Sequence, residues 1–276
     1  MELSAPSFKL GATVVLAYPD DTRLAGYRAA LALWTALAAC GQAAGTHSTC
    51  AAAFGSRATV VVQPLGVPGI GGPDVGDAAD AASDVSVVFA NLREHPGLTF
   101  CFVNGLPAPA HVPELVDHLV GLLEKQGVER VVAPAAANVS IAGEGGDGLW
   151  ALFPASPGRP LLDTLADVPE LPAGALTNDA FLSALGTIAA VAAVGTVGLL
   201  IHGDRRPGTS GYRERVVFGA EFADDGDAAI VGTLARRLAA AVDVAEAAGA
   251  SLPTGVEVVR VRLDADAAGK GRDIFS

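Results

Sequence analysis

Cysteine is scarce in this chain: Cys40, Cys50 and Cys101 are the only three, and no CxxC spacing joins them. An odd, scattered set excludes a disulfide framework and a zinc ribbon, and implies buried thiols in a reduced compartment. Aromatic residues are also few, at 5%, beside a hydrophobic content of 51% that is largely alanine. The core must therefore pack through small side chains at close approach rather than around large rings. Basic residues are outnumbered 18 to 30, and the resulting net charge of −12 argues against nucleic acid or an anionic membrane as the main partner. A partner with basic pockets is compatible with it. Met1–Leu10 lacks a basic region followed by a long apolar run, so no secretory signal is expected. The expected compartment is the cytoplasm, with the nucleus or an endoplasmic-reticulum association as alternatives.

One long apolar run is present. From Phe181 to Ile201 there is no charged residue, a length that could cross a bilayer. Gly186, Gly195 and Gly198 punctuate it, however. The expectation is a buried helix from Asp179 to Ala193, a loop over Ala193–Thr196, and a buried strand from Val197 to Ile201.

Short β-rich runs recur at Thr13–Ala17, Thr59–Gln63, Val85–Ala90, Thr99–Val103, Arg130–Pro134, Val197–His202 and Glu214–Phe218. Helical patterns alternate with several of them. Leu24–Cys40 places Leu31, Trp34, Leu37 and Ala38 on one side. Pro113–Gln126 opens with proline and glutamate, closes at Gly127, and carries a broad stripe from Leu115 to Leu123. Asp227 can cap a third helix running through Ile230, Leu234, Leu238 and Val242. Continuous apolar strands alternating with amphipathic helices predict an α/β fold, a largely parallel sheet flanked by helices on both faces as a three-layer sandwich. Residues 1–263 are expected to form one domain. Within it, the glycine- and proline-rich stretches 65–82 and 143–172 read as loops or insertions. Val256–Leu263 reads as a late strand, and residues 264–276 as a flexible tail.

Few residue patterns point to catalysis. Gly143-Glu-Gly-Gly-Asp-Gly148 matches the GxGxxG spacing, but Glu144 and Asp147 bring negative charge to it, and Pro154 and Pro157 oppose a following helix. Gly69-Ile-Gly-Gly-Pro73 lacks the ending of a phosphate-binding loop. His47, His95, His111, His118 and His202 are scattered; His111 and His118 fall two helical turns apart, too far to share a metal without further ligands. Ser210 misses the nucleophile-elbow spacing by one residue. Asp224, Asp225 and Asp227 suit the start of a helix better than a cation. The one cluster with a case as a small-molecule site is His202, Asp204, Arg205 and Arg206, which follows a buried strand where α/β folds often hold ligands. No nucleophile, base and orienter assemble, so neither catalytic residues, nor a metal, nor a cofactor is expected.

The chain ends on Ile274-Phe275-Ser276, after a polar, glycine-bearing run from Asp264 to Asp273. A large apolar pair on a tether has no core of its own to fill, and a pocket on another protein is a fitting destination. The terminal carboxylate adds a charge that a lysine or a group of backbone N–H donors can capture.

Taken in order, Phe102-Val-Asn-Gly105, the helix Pro113–Gln126, Gly127–Val132, Asn178-Asp-Ala-Phe-Leu182, the unit Leu182–Asp204 and Glu221 resemble the proteasome assembly chaperones over roughly residues 85–248. Ile274-Phe275-Ser276 is similar to the hydrophobic–tyrosine–any-residue terminus with which members of that family and proteasome activators dock between α-subunits. Phenylalanine replaces the tyrosine here, which removes a hydroxyl and keeps the ring. The resemblance implies a phosphorylase-like α/β sandwich without catalysis. It further implies a heterodimer with a homologous second chaperone and binding to proteasome α-subunits during ring formation. Ile274, Phe275 and Ser276 would be the partner-binding residues, with neither nucleic acid nor membrane involved. The rival expectation is a small-molecule enzyme on the same scaffold with its site around His202–Arg206.

Overall fold

The structure, a computed structural model, describes residues 5–20, 24–40, 47–64, 67, 70, 84–137, 139–140, 148–152, 163–177, 179–192, 194–203, 215–218, 225–249, 252–253 and 256–262. In chain order the strands are β1 (Thr13–Ala17), β2 (His47–Arg57), β3 (Val60–Pro64), β4 (Asp84–Leu92), β5 (Leu98–Val103), β6 (Gly105–Leu106) and β7 (Arg130–Ala137). They continue as β8 (Val139–Ser140), β9 (Leu149–Leu152), β10 (Leu176–Thr177), β11 (Gly195–His202), β12 (Arg215–Phe218) and β13 (Val258–Arg262). The helices are α1 (Ala25–Cys40), α2 (Val112–Lys125), α3 (Ala180–Ala189), α4 (Asp225–Ala241) and α5 (Ala245–Ala248).

Among the described residues the main sheet has seven strands in the order β2-β4-β5-β1-β7-β11-β9. Its centre, β5-β1-β7-β11, is parallel, while β4, β2 and β9 extend it antiparallel. Strand side chains point alternately to the two faces, and each face is apolar because each is covered. Val15, Ala17, Phe100, Phe102, Val132 and Leu199 join the core beneath α1, α4 and α5. Val14, Leu16, Cys101, Val103, Val131 and Leu200 join the core beneath α2 and α3. The three-layer α/β sandwich with a parallel centre is thus the fold that forms. The scarce rings concentrate under α1: Trp34 meets Phe100 edge-on at 5.3 Å, and Tyr27 meets Phe102 at 5.6 Å. A smaller sheet, β12-β13-β3-β6, and the pair β8–β10 complete the strands.

Several boundaries differ from the sequence expectation. The uncharged run 181–201 divides into α3 and β11, and no helix among the described residues is long and apolar enough to cross a membrane. Helix α3 stops at Ala189 rather than Ala193, and β11 starts at Gly195, inside the expected loop. Pairing decides this: Gly195 donates to the Glu129 carbonyl at 3.0 Å, and the parallel register with β7 runs unbroken from there to His202. Residues 149–152, inside the stretch read as irregular, form β9 because Leu149–Leu152 pair antiparallel with β11. Strand β2 has no counterpart among the expected strands. Helix α4 begins at Asp225, two residues before the expected cap Asp227. Of the stretch 65–82, only Val67 and Ile70 are described, and Ile70 is buried.

Burial has a consequence at high pH. It pushes the Cys101 thiol up, and it raises the Tyr27 phenol well above its ordinary value, with Cys101 adding to the effect. Both groups hold their protons in the folded chain at a pH where the unfolded chain has released them. Stability must therefore fall as pH rises past the ordinary thiol and phenol values, about 8.5 and 10, by up to about 1.4 kcal/mol per pH unit for each group. Urea unfolding across this range is expected to show the decline. Cys101→Ala is expected to flatten its first part, between about pH 8.5 and 10; an unaltered slope would refute the assignment.

Candidate functional site

In a parallel sheet with helices on both faces, ligands bind at the carboxyl ends of the strands. Here that rim is built from Tyr18 and Asp20 after β1, Asn104 after β5, His202 at the end of β11, and the starts of α1 and α3. The first four-residue turn of α1 leaves N–H groups without helical partners at a positive dipole end. Asp20, 2% exposed, meets them: its Oδ2 accepts from the Gly26 N–H at 2.7 Å and from the Tyr27 N–H at 3.3 Å. The Tyr27 hydroxyl donates to Asn104 Oδ1 at 2.6 Å, and Asn104 Nδ2 donates to the Ile70 carbonyl at 3.1 Å. Helix α1, β5 and the segment at Ile70 are thereby tied in one buried line.

A second line holds α3. Asp179 is its N-cap, with Oδ1 accepting from the Leu182 N–H at 2.8 Å. Its Oδ2 accepts from the Tyr18 hydroxyl at 2.8 Å, and the Tyr18 ring stacks on Phe181 at 4.2 Å. Thus β1 reaches α1 through Asp20 and α3 through Tyr18. Asp20 and Asp179 thus both sit against helix N-termini, the position an anionic ligand would otherwise take.

His202 lies on the same rim. Its Nδ1 accepts from the Val139 N–H at 3.3 Å. Its backbone N–H donates to the Gly148 carbonyl at 3.3 Å, which joins β11 to the residue before β9. Asp204, Arg205 and Arg206 lie outside the described residues, as do Ser210 and Ile274-Phe275-Ser276. Of the GxGxxG match only Gly148 is described, and a Cβ there would meet the Trp150 ring at 3.1 Å. His111 is the N-cap residue of α2 and His118 lies within it: His111 is exposed and sits 3.5 Å from Glu114, and His118 is half-buried one helical turn beyond Glu114. Among the described residues no group of three or more His, Cys, Asp or Glu side chains is arranged to hold a metal.

Sequence reasoning did not single out Tyr18, Asp20 or Tyr27, met Asn104 only within the family resemblance, and met Asp179 there and as the start of the expected helix. The usable signal was positional. A polar residue one to three places after a continuous apolar strand falls at the rim, as Asp20 does after β1 and Asn104 after β5.

No family model matches the chain, and no curated protein matches it in sequence. Its fold is found among solved structures. It superposes on Pyrococcus furiosus PbaA, an archaeal homolog of proteasome-assembly chaperone, with TM-score 0.53 and 16% identity over 88% of this chain and 86% of that one. A Thermoplasma acidophilum protein of unknown function gives 0.53 at 11% identity, covering 88% and 83%. Pyrococcus furiosus PbaB, an archaeal proteasome activator, gives 0.52 at 10% identity, covering 88% of each chain.

Proposed function

We propose that this chain is a non-catalytic chaperone of proteasome assembly, acting through protein interfaces. The observation that carries the proposal is the fold shared with PbaA along most of both chains. The likeness to PbaB, a proteasome activator, supports the same reading. The rim adds a physical argument: Asp20 and Asp179 take up the helix N-termini where a phosphorylase-like scaffold would offer donors to a ligand. In this reading the chain pairs with a homologous second chaperone in the cytoplasm, and the pair promotes α-subunit ring formation. Residues 1–263 form a single body and residues 264–276 a tether whose Ile274-Phe275-Ser276 enters a pocket between α-subunits.

Avidity is the physical mechanism. A broad surface of the body supplies contact, and the tether makes the second engagement intramolecular, at high effective concentration. Ten residues, 264–273, reach at most roughly 33–36 Å. The test is affinity purification of the tagged chain from its own cells, with mass spectrometry of what is retained. Proteasome α-subunits and a homologous chaperone are expected, without mature catalytic β-subunits. Absence of α-subunits under gentle lysis would overturn the proposal.

A further inference from the structure

Strand β2 forms one edge of the main sheet, and among the described residues it pairs only with β4. An edge strand presents a row of N–H and C=O groups that template a further strand. The opposite edge is closed by the chain itself: at β9, the Ala151 N–H donates to the Pro169 carbonyl at 2.8 Å, and the Ala151 carbonyl accepts from Leu171 at 3.0 Å. The β2 edge is much longer, 11 residues, and runs in unbroken register with β4 from His47 to Phe54 before its one irregularity. It contains no proline, lysine or acid, the residues that commonly guard an edge; its only charge at neutral pH is Arg57, beyond the irregularity.

We infer that β2 is a self-pairing edge, through which two copies of this chain join antiparallel into one continuous sheet. A strand paired antiparallel with its own copy is isologous, so the sequence must be compatible with itself across a two-fold axis. With the axis at Ala51, Ala51 faces its copy, Cys50 stands opposite Ala52, Thr49 opposite Ala53 and Ser48 opposite Phe54. No charge meets a charge in this register. Electrostatics selects the surface: a chain of net charge −12 repels its copy, and an acid-free strand lets two copies meet at small like-charge cost. The pairing requires only this chain, so its failure would leave the chaperone reading untouched, and the reverse holds too.

Amide hydrogen exchange on the purified full chain, at low and at high micromolar concentration, tests it. Alternate amides within 48–54 are expected to slow about tenfold at the higher concentration, with the amides of β5 and β7 unchanged. Exchange in β2 that is independent of concentration would overturn the inference. Neighbouring N–H groups of a strand point to opposite edges, so one of Ala51→Pro and Ala52→Pro removes an outward donor and spares the β4 ladder. That variant should keep its circular dichroism and stay monomeric by light scattering where the wild type dimerises. A folded proline pair that still dimerises would equally overturn it, and if neither variant folds, the exchange result decides.

Discussion

Gly26→Ala is expected to destabilise the fold by about 2–3 kcal/mol, although the same change in most helices stabilises. Gly26 is the second residue of α1, where that helix crosses β7. A Cβ placed there would lie 2.2 Å from the Pro134 carbonyl oxygen and 2.7 Å from the Ala135 Cα. Those atoms are backbone of a central strand, in register with Leu199 and Leu200 of β11, and cannot retreat without loosening that ladder. The helix cannot retreat either. Its N–H at Gly26 is held by Asp20, and it carries Tyr27, Leu31, Trp34 and Leu37 into the core. Gly121→Ala in α2 is the matched control, since no atom lies within 4 Å of the added methyl. It should stabilise by about 0.5–1 kcal/mol, the ordinary helical gain. Urea unfolding of the two variants should move in opposite directions, and a shift of the same sign in both would remove the close approach as the explanation.

Phe275→Ala is expected to weaken binding to proteasome α-rings about 10- to 100-fold. Burying a phenylalanine side chain contributes roughly 1.5–3 kcal/mol, and each 1.4 kcal/mol is about tenfold in Kd. Phe275→Tyr should strengthen binding, because a hydroxyl that finds a partner adds about 0.5–1.5 kcal/mol. Neither variant should alter the melting temperature of the body. Titration of α-rings with the partner chaperone present is the measurement. Equal affinity for wild type and Phe275→Ala would eliminate tail docking while leaving the proposal from the fold intact.

Much of the fold was legible in local pattern. Strand β1 forms at Thr13–Ala17 as its apolar run predicts, and α2 lies within one residue of its expected span. In these segments the periodicity is strong and the end signals are local: Pro113 and Glu114 in the first turn of α2, and Gly127 at its close with φ of 75°. Strands β2 and β9 were not legible. Neither His47–Arg57 nor Leu149–Leu152 alternates clearly, and each becomes a strand because β4 or β11 offers a ladder. The start of β11 failed for the same reason: Gly195 and Thr196 look like a turn until β7 supplies the register.

The rim divides in the same way. Asp179 as an N-cap is a local event, settled within three residues at Leu182. Tyr18 reaching Asp179 spans 161 positions, and Tyr27 reaching Asn104 spans 77. By itself the sequence determined the class of fold, the acidic and alanine-rich character of the chain, and the spans of its most periodic elements, since those depend on neighbours a few residues apart. Only the tertiary structure decided which strand closes each edge, where α1 touches β7, and how the rim carboxylates are engaged. Those depend on pairing across the chain, where a single backbone contact at Gly26 or a ladder at Gly195 outweighs local propensity.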